Sequence, residues 1–315
     1  MTYKGTDSIR NRHRKKKTRP GGVFFLGIAF LAFVVIGLSV SLTLRACSHQ
    51  KGYTQVGEHQ YAGVEYKRED IGISEKTQID NSCEMPDSVA LICVPQLLDG
   101  VSEQIIRKSS YIVSYNKDTK IPNWVAWHLM AEHTDGPYRR LNNFYEELSV
   151  ASPRATIDDY KSSGWSRGHM CPAGDNKWDE KAMYDSFSLV NVCPQNASLN
   201  SGLWNSIEMD CRRWARKFGG IYIVCGPVFL NQEHETIGAN EVVVPEAFFK
   251  VVLCLNGVPK ALGIICRNTD GNKKRDIYYN SVDQVERITG IDFFPALPDE
   301  LEDSVESVVD MNIWN

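Results

Sequence analysis

His169, Asn200 and Glu208 are the residues of this chain best placed by type and spacing to do chemistry together. They fall within one stretch, Trp165 to Trp214, alongside Arg167, Asn191, Gln195 and Arg212. An imidazole titrates near neutral pH and can take a proton from water. An asparagine carbonyl and a carboxylate are hard oxygen donors, the kind Mg²⁺ prefers. Because Mg²⁺ keeps several waters, one direct protein ligand and one water-held carboxylate make a workable site. An arginine beside the base suits a phosphate oxygen. The set fits metal-assisted cleavage of a phosphodiester.

The elements that must carry these groups are readable nearby. Arg167-Gly168-His169 reads as a strand end followed by a tight turn, with Gly168 allowing close backbone approach. Asn191 to Gln195 follows an apolar run from Phe187 to Val190. Asn200 opens a segment in which Trp204, Ile207, Cys211 and Trp214 recur at helical spacing. Asn200 and Glu208 then differ by roughly 80° around the axis and ~12 Å along it, so both can face one cleft. Each residue also has a plainer use. Asn200 suits a helix N-cap, Glu208 can pair with Arg212 four residues on, and Asn191 and Gln195 can order loops. Trp165, Trp204 and Trp214 read as core.

The ordered motifs resemble the DNA/RNA non-specific endonucleases, the endonuclease G-like ββα-metal nucleases. The resemblance rests on Ser166-Arg167-Gly168-His169, on Asn191 to Gln195, on Leu199-Asn200-Ser201-Gly202-Leu203-Trp204 with Glu208, and on Arg212. It extends through Pro122 to Trp127, Cys225 to Phe229, Val244 to Lys250 and Ser281 to Phe294, about residues 85–298. The family pattern begins with aspartate where this chain has Ser166, whose hydroxyl can replace a hydrogen bond but not a charge. The resemblance implies an α+β fold with a central, mostly antiparallel sheet flanked by helices. It implies His169 as general base with Arg167 and Glu208 as catalytic partners, Asn200 on the metal, and Arg140, Asn191 and Gln195 toward substrate. The implied cofactor is Mg²⁺, with Mn²⁺ or Ca²⁺ as substitutes. The implied substrates are DNA and RNA, without sequence specificity. The alternative raised by Ser166 is a catalytically impaired module that still binds nucleic acid or a partner.

The rest of the chain sets the context. Its 315 residues are 43% hydrophobic, enough for one sizeable core. Mixed strands and helices with an Asn256-Gly257 turn signal also argue α+β. Val23 to Leu44 is a run of 22 uncharged residues, close to the ~20 that span a bilayer as a helix. The segment before it, residues 1–20, carries +7, which predicts a cytoplasmic N-terminus and an exported domain, periplasmic or extracellular. The expected organisation is a basic tail over 1–20, a transmembrane anchor over 21–45, a linker over 46–80 and the endonuclease domain over 81–315. Cleavage with lipidation at Cys47 is the rival reading of the anchor. Export would favour disulfides among the remaining eight cysteines, and the Asn256-Gly257 hairpin would bring Cys254 and Cys266 near each other. The whole chain is −4, so residues 21–315 carry −11, part of it in the tail from Asp299 to Asp310. Nucleic acid would therefore have to meet a local basic groove around the motif, a weak and salt-sensitive contact.

Overall fold

The computed structural model describes residues 59–61, 64–66, 92, 94–97, 99–271 and 273–315. The expected tail over 1–20, the anchor over 21–45 with Cys47, and most of the expected linker lie outside the described residues. Among the described residues no helix is long and apolar enough to cross a membrane. Within the expected linker, the backbone of His59–Tyr61 and Val64–Tyr66 forms a short antiparallel ladder.

The centre of the fold is a seven-stranded sheet. Its strands are β1 (Gln104–Arg107), β2 (Ile112–Asn116), β3 (Ile121–Met130), β6 (Gly220–Val228), β7 (Ala247–Cys254), β8 (Lys260–Arg267) and β9 (Tyr279–Asn280). They lie in the order β9-β8-β7-β6-β3-β2-β1, every neighbour antiparallel. Two further strands, β4 (Ser166–His169) and β5 (Val192–Gln195), form a separate antiparallel hairpin-like pair. With the long helix that follows β5, they make a ββα unit.

The central strands are apolar on both faces because both faces are covered. Alternate residues go to opposite sides. Val125, Trp127, Ile223, Cys225, Phe248 and Val252 join the core beneath the ββα unit. Trp124, Ala126, Val224, Phe249, Val251 and Leu253 join a second core on the other face. That second core is closed by Val282 and Val285 of helix α2 (Val282–Thr289) and by Leu301 and Val305 of helix α3 (Asp299–Glu306). The acidic tail is thus partly a packed helix. Helix α2 has the limits its sequence suggests: the Ser281 hydroxyl accepts from Gln284 N, and Gly290, at φ 72°, stops it in the left-handed region.

Two expectations about cysteines are corrected. Cys171, Cys193, Cys211, Cys225, Cys254 and Cys266 are all free and buried, packing as small hydrophobes; Cys47, Cys83 and Cys93 lie outside the described residues. The β7–β8 hairpin does form, but its register sets Cys254 against Lys260 and Cys266 against Phe248. The two thiols therefore sit at opposite ends of the hairpin.

Candidate active site

His169 is the last residue of β4, opposite Val192 of β5. Gly168 before it has to be glycine. A Cβ there would lie 2.2 Å from Gln195 Oε1 and 2.6 Å from Gln195 Cβ, so any side chain would push the two strands apart. The turn after His169 is held by Asn191. Its Oδ1 accepts from Cys171 N at 2.8 Å, and its Nδ2 donates to Cys171 O and Ser186 O, both at 2.8 Å. Met170 N donates to Asn191 O as well, at 2.9 Å. Asn191 is fully buried, so losing its amide would strand three buried backbone groups at roughly 1–3 kcal/mol each.

Asn191 and Gln195, expected to face substrate, both lie inside the fold. Both are at 0% exposure. Asn191 is a staple under His169, and Gln195 fills the space beside Gly168. Neither amide atom of Gln195 has a hydrogen-bond partner among the described residues.

The imidazole of His169 is 5% exposed. Phe144 lies tilted against it with centroids 5.1 Å apart, and Phe187 meets it edge-on at 5.0 Å. Its Nε2 has no hydrogen-bond partner. Two guanidiniums flank the same pair of phenyl rings: Arg167 Cζ lies 4.4 Å from the Phe144 centroid and Arg140 Cζ 5.7 Å from that of Phe187. Burial first, and then the charges of Arg140 and Arg167, lower the His169 pKa to about 3. The ring is neutral at physiological pH and holds a free lone pair. A phosphate settling between the two arginines would cancel their field and make that lone pair more basic.

Asn200 and Glu208 lie on the helix after β5. The helix starts at Ala197, capped by Asn196, whose Oδ1 accepts from Ser198 N and Leu199 N. Asn200 is thus inside the helix and not its cap. It opens a π segment, Asn200–Trp204, which runs on into α1 (Asn205–Phe218). A π turn inserts one residue relative to an α-helix. Residues eight apart then fall roughly 20° from each other instead of roughly 80°, sharpening the alignment of Asn200 with Glu208. The Asn200 side chain is half-buried and no hydrogen bond occupies it among the described residues.

Glu208 is embedded in a charge network of which its spacing announces only Arg212. Its side chain is 13% exposed, and Arg212 Nη1 is 4.0 Å from it. Arg212 in turn holds the buried Asp175 at 2.8 Å, and Asp175 also accepts from Trp127 Nε1 at 3.2 Å. Lys250 of β7 is 1% exposed. Its Nζ lies between Trp127 and Trp204, at 4.9 and 4.8 Å from their centroids. Burial raises the Glu208 pKa to about 7 against the pull of Lys250 and Arg212, with Asp175 adding to the rise and Arg140 opposing it. The charge of the exposed Arg140 acts on both Glu208 and His169.

The structure therefore brings together His169, Arg167, Arg140 and Glu208, with Asn200 on the same helix as Glu208. Asp175, Lys250, Phe144 and Phe187 were not foreseen. Lys250 had a signal: a lone lysine in the apolar run from Ala247 to Leu255 must be buried with a partner or mark a site. The basic groove is narrower than composition suggests, because Arg212, Arg213, Arg154 and Lys161 are paired with Asp175, Asp210, Glu146 and Asp158. Trp204 and Trp214 are core as expected, at 0% exposure.

Comparison with known proteins agrees with this geometry. The family model for DNA/RNA non-specific endonuclease matches residues 90–300. Nuclease EXOG, mitochondrial, of Danio rerio is 36% identical over 206 residues, 60% of this chain and 60% of that protein. Nuclease C1 of Cunninghamella echinulata var. echinulata is 34% identical, over 63% of this chain and 85% of that protein. A crystal structure of an EndoG/EndoGI complex superposes with a TM-score of 0.60 at 26% identity, covering 65% of this chain and 90% of that one. The chain spans about 60% of the length of the Danio rerio relative.

Proposed function

This chain belongs to the DNA/RNA non-specific endonuclease family, and on that premise we propose that it is a Mg²⁺-dependent hydrolase that cuts DNA and RNA phosphodiesters without sequence specificity. The observation that carries the reading is the buried, unpartnered Nε2 of His169, neutral and flanked by two arginines. His169 takes a proton from the attacking water through its neutral imidazole. Arg167 and Arg140 neutralise the non-bridging phosphate oxygens. Contacts to phosphate carry no base information, so sequence would go unread.

The residues present fit a divalent metal ion. Asn200 offers an unoccupied amide oxygen, and Glu208 offers a carboxylate that burial leaves short of solvation. Asp175 is committed to Arg212 and Trp127, which leaves one available carboxylate and suits one ion. Asn200 would hold Mg²⁺ directly and Glu208 through water; Mn²⁺ and Ca²⁺ share the oxygen preference. Bound there, the ion would supply charge stabilisation to the phosphorane and to the leaving 3′ oxygen.

The purified protein should nick plasmid DNA and degrade RNA with Mg²⁺ and stop with EDTA. Asn200→Ala should raise the Mg²⁺ concentration needed and lower the rate. Binding of nucleic acid without cleavage at any metal concentration would instead establish the impaired module raised by Ser166. An unchanged metal requirement in Asn200→Ala would move the metal elsewhere.

Residues 21–45 are proposed as a single membrane anchor, with the N-terminus cytoplasmic and the nuclease domain exported. The +7 charge of residues 1–20 supports this orientation. A reporter fused after Asn315 should work only outside the cytoplasm, and cytoplasmic activity alone would overturn the topology.

A further inference from the structure

On the sheet face opposite His169, three carboxylates converge. Asp283 and Glu286 stand one turn apart on α2, and Glu306 ends α3. One oxygen from each lies within 4.8 Å of the others. Glu306 is only 4% exposed, and its Oε1 has no hydrogen-bond partner. None of the three joins a salt bridge among the described residues. Glu286 Oε1 accepts a single backbone bond, from Phe293 N at 2.8 Å. Other anions crowd the group, because Glu302 and Asp292 both repel Glu306. Glu306 also sits at the negative end of its own helix.

Packing forces this arrangement. Val282, Val285, Leu301 and Val305 anchor α2 and α3 in one apolar layer, so the backbones that carry the carboxylates cannot separate without unpacking it. Like charges held together at a half-buried position must be neutralised by protons or by a cation. Burial, with the neighbouring carboxylates, pushes Glu306 up to about 9. A proton is thus the metal-free solution.

We propose that Asp283, Glu286 and Glu306 form a structural site for one divalent cation, Ca²⁺ in preference to Mg²⁺, that pins α3 to α2. Carboxylates can meet Ca²⁺ through one oxygen or two, in flexible geometry. The half-exposed sides of Asp283 and Glu286 leave room for water to complete the shell. Mg²⁺ demands near-octahedral order and gives up its waters reluctantly. The site is separate from Asn200 and does not depend on the nuclease reading.

The test is thermal unfolding of the full-length protein, stripped with EDTA and titrated with CaCl₂ or MgCl₂ at pH 7.5. Calcium at a hundredfold excess over its Kd should raise Tm by roughly 5–10 °C, and magnesium by less. Glu306→Gln should melt no lower than wild type without metal, since glutamine is neutral without taking up a proton on folding, and should lose the calcium response. Asn200→Ala should keep that response. If Glu306→Gln does not fold, Asp283→Asn at the half-exposed corner should show the same loss. No calcium response in wild type, or a response that survives Glu306→Gln or Asp283→Asn, overturns the site.

Discussion

Replacing His169 with alanine should lower phosphodiester cleavage by about 10²–10⁴-fold, the usual worth of a general base, and leave the fold standing. The imidazole makes no hydrogen bond through Nε2, so its loss strands no buried partner. The hairpin under it is held by Gly168, Gln195 and Asn191, and these are untouched. The defect should fall on kcat more than on KM, because Arg140 and Arg167 remain to bind phosphate. A second signature reports the burial of the ring itself. With its pKa lowered to about 3, His169 is kept neutral in the fold but takes a proton in the unfolded chain as pH drops below 6.5. It therefore favours unfolding progressively over that window, and the alanine variant should resist acid better than wild type. Plasmid-nicking kinetics with urea unfolding at pH 7 and pH 4 measure both. Near-wild-type turnover in a folded variant removes His169 from the mechanism.

How much of this was legible depends on whether the signal is local. The β7–β8 hairpin follows from Asn256-Gly257 between two apolar runs, and α2 from Ser281 and Gly290 at its ends, because turns and caps are set by neighbours in sequence. The site motif was readable for the same reason: His169, Asn200 and Glu208 sit within forty residues of one another. What was hidden depends on partners far along the chain. Asn191 looked free to meet substrate, yet Cys171 and Ser186 consume its amide. Cys254 and Cys266 flank one turn, but register places them at opposite ends of the hairpin. The Asp175–Arg212–Glu208 link and the placing of Lys250 between Trp127 and Trp204 join residues from four separate elements. Only Glu208–Arg212, four residues apart on one helix, was open to a spacing rule. The π turn at Asn200 also escaped periodicity, and it improves the alignment that the plain helical reading had already suggested.

Glu208→Gln should make the metal-free protein more stable at pH 8, by up to ~3 kcal/mol, while slowing cleavage. The folded pKa of Glu208 is about 7 against an ordinary 4.5, and each pKa unit corresponds to about 1.4 kcal/mol. The folded state holds this proton more tightly than the unfolded chain does. The contribution of Glu208 to stability is therefore greatest below pH 4.5 and is lost as pH rises through about 7, where folding must keep a poorly solvated anion. Lys250 and Arg212 offset part of the burial but not all of it, and Asp175 works against them. Glutamine keeps the shape without the charge, so the two proteins should match at pH 4 and diverge by pH 8. Wild type should recover more stability than the variant when Mg²⁺ is added at pH 8, because a cation favours the ionised carboxylate. A residue that weakens its own fold at working pH is expected where function needs the charge. Urea unfolding in EDTA at both pH values, beside nicking rates, decides the matter. Equal stability at pH 8 would mean that Lys250 and Arg212 already balance the burial, and Glu208 would then hold no strain for a metal ion to relieve.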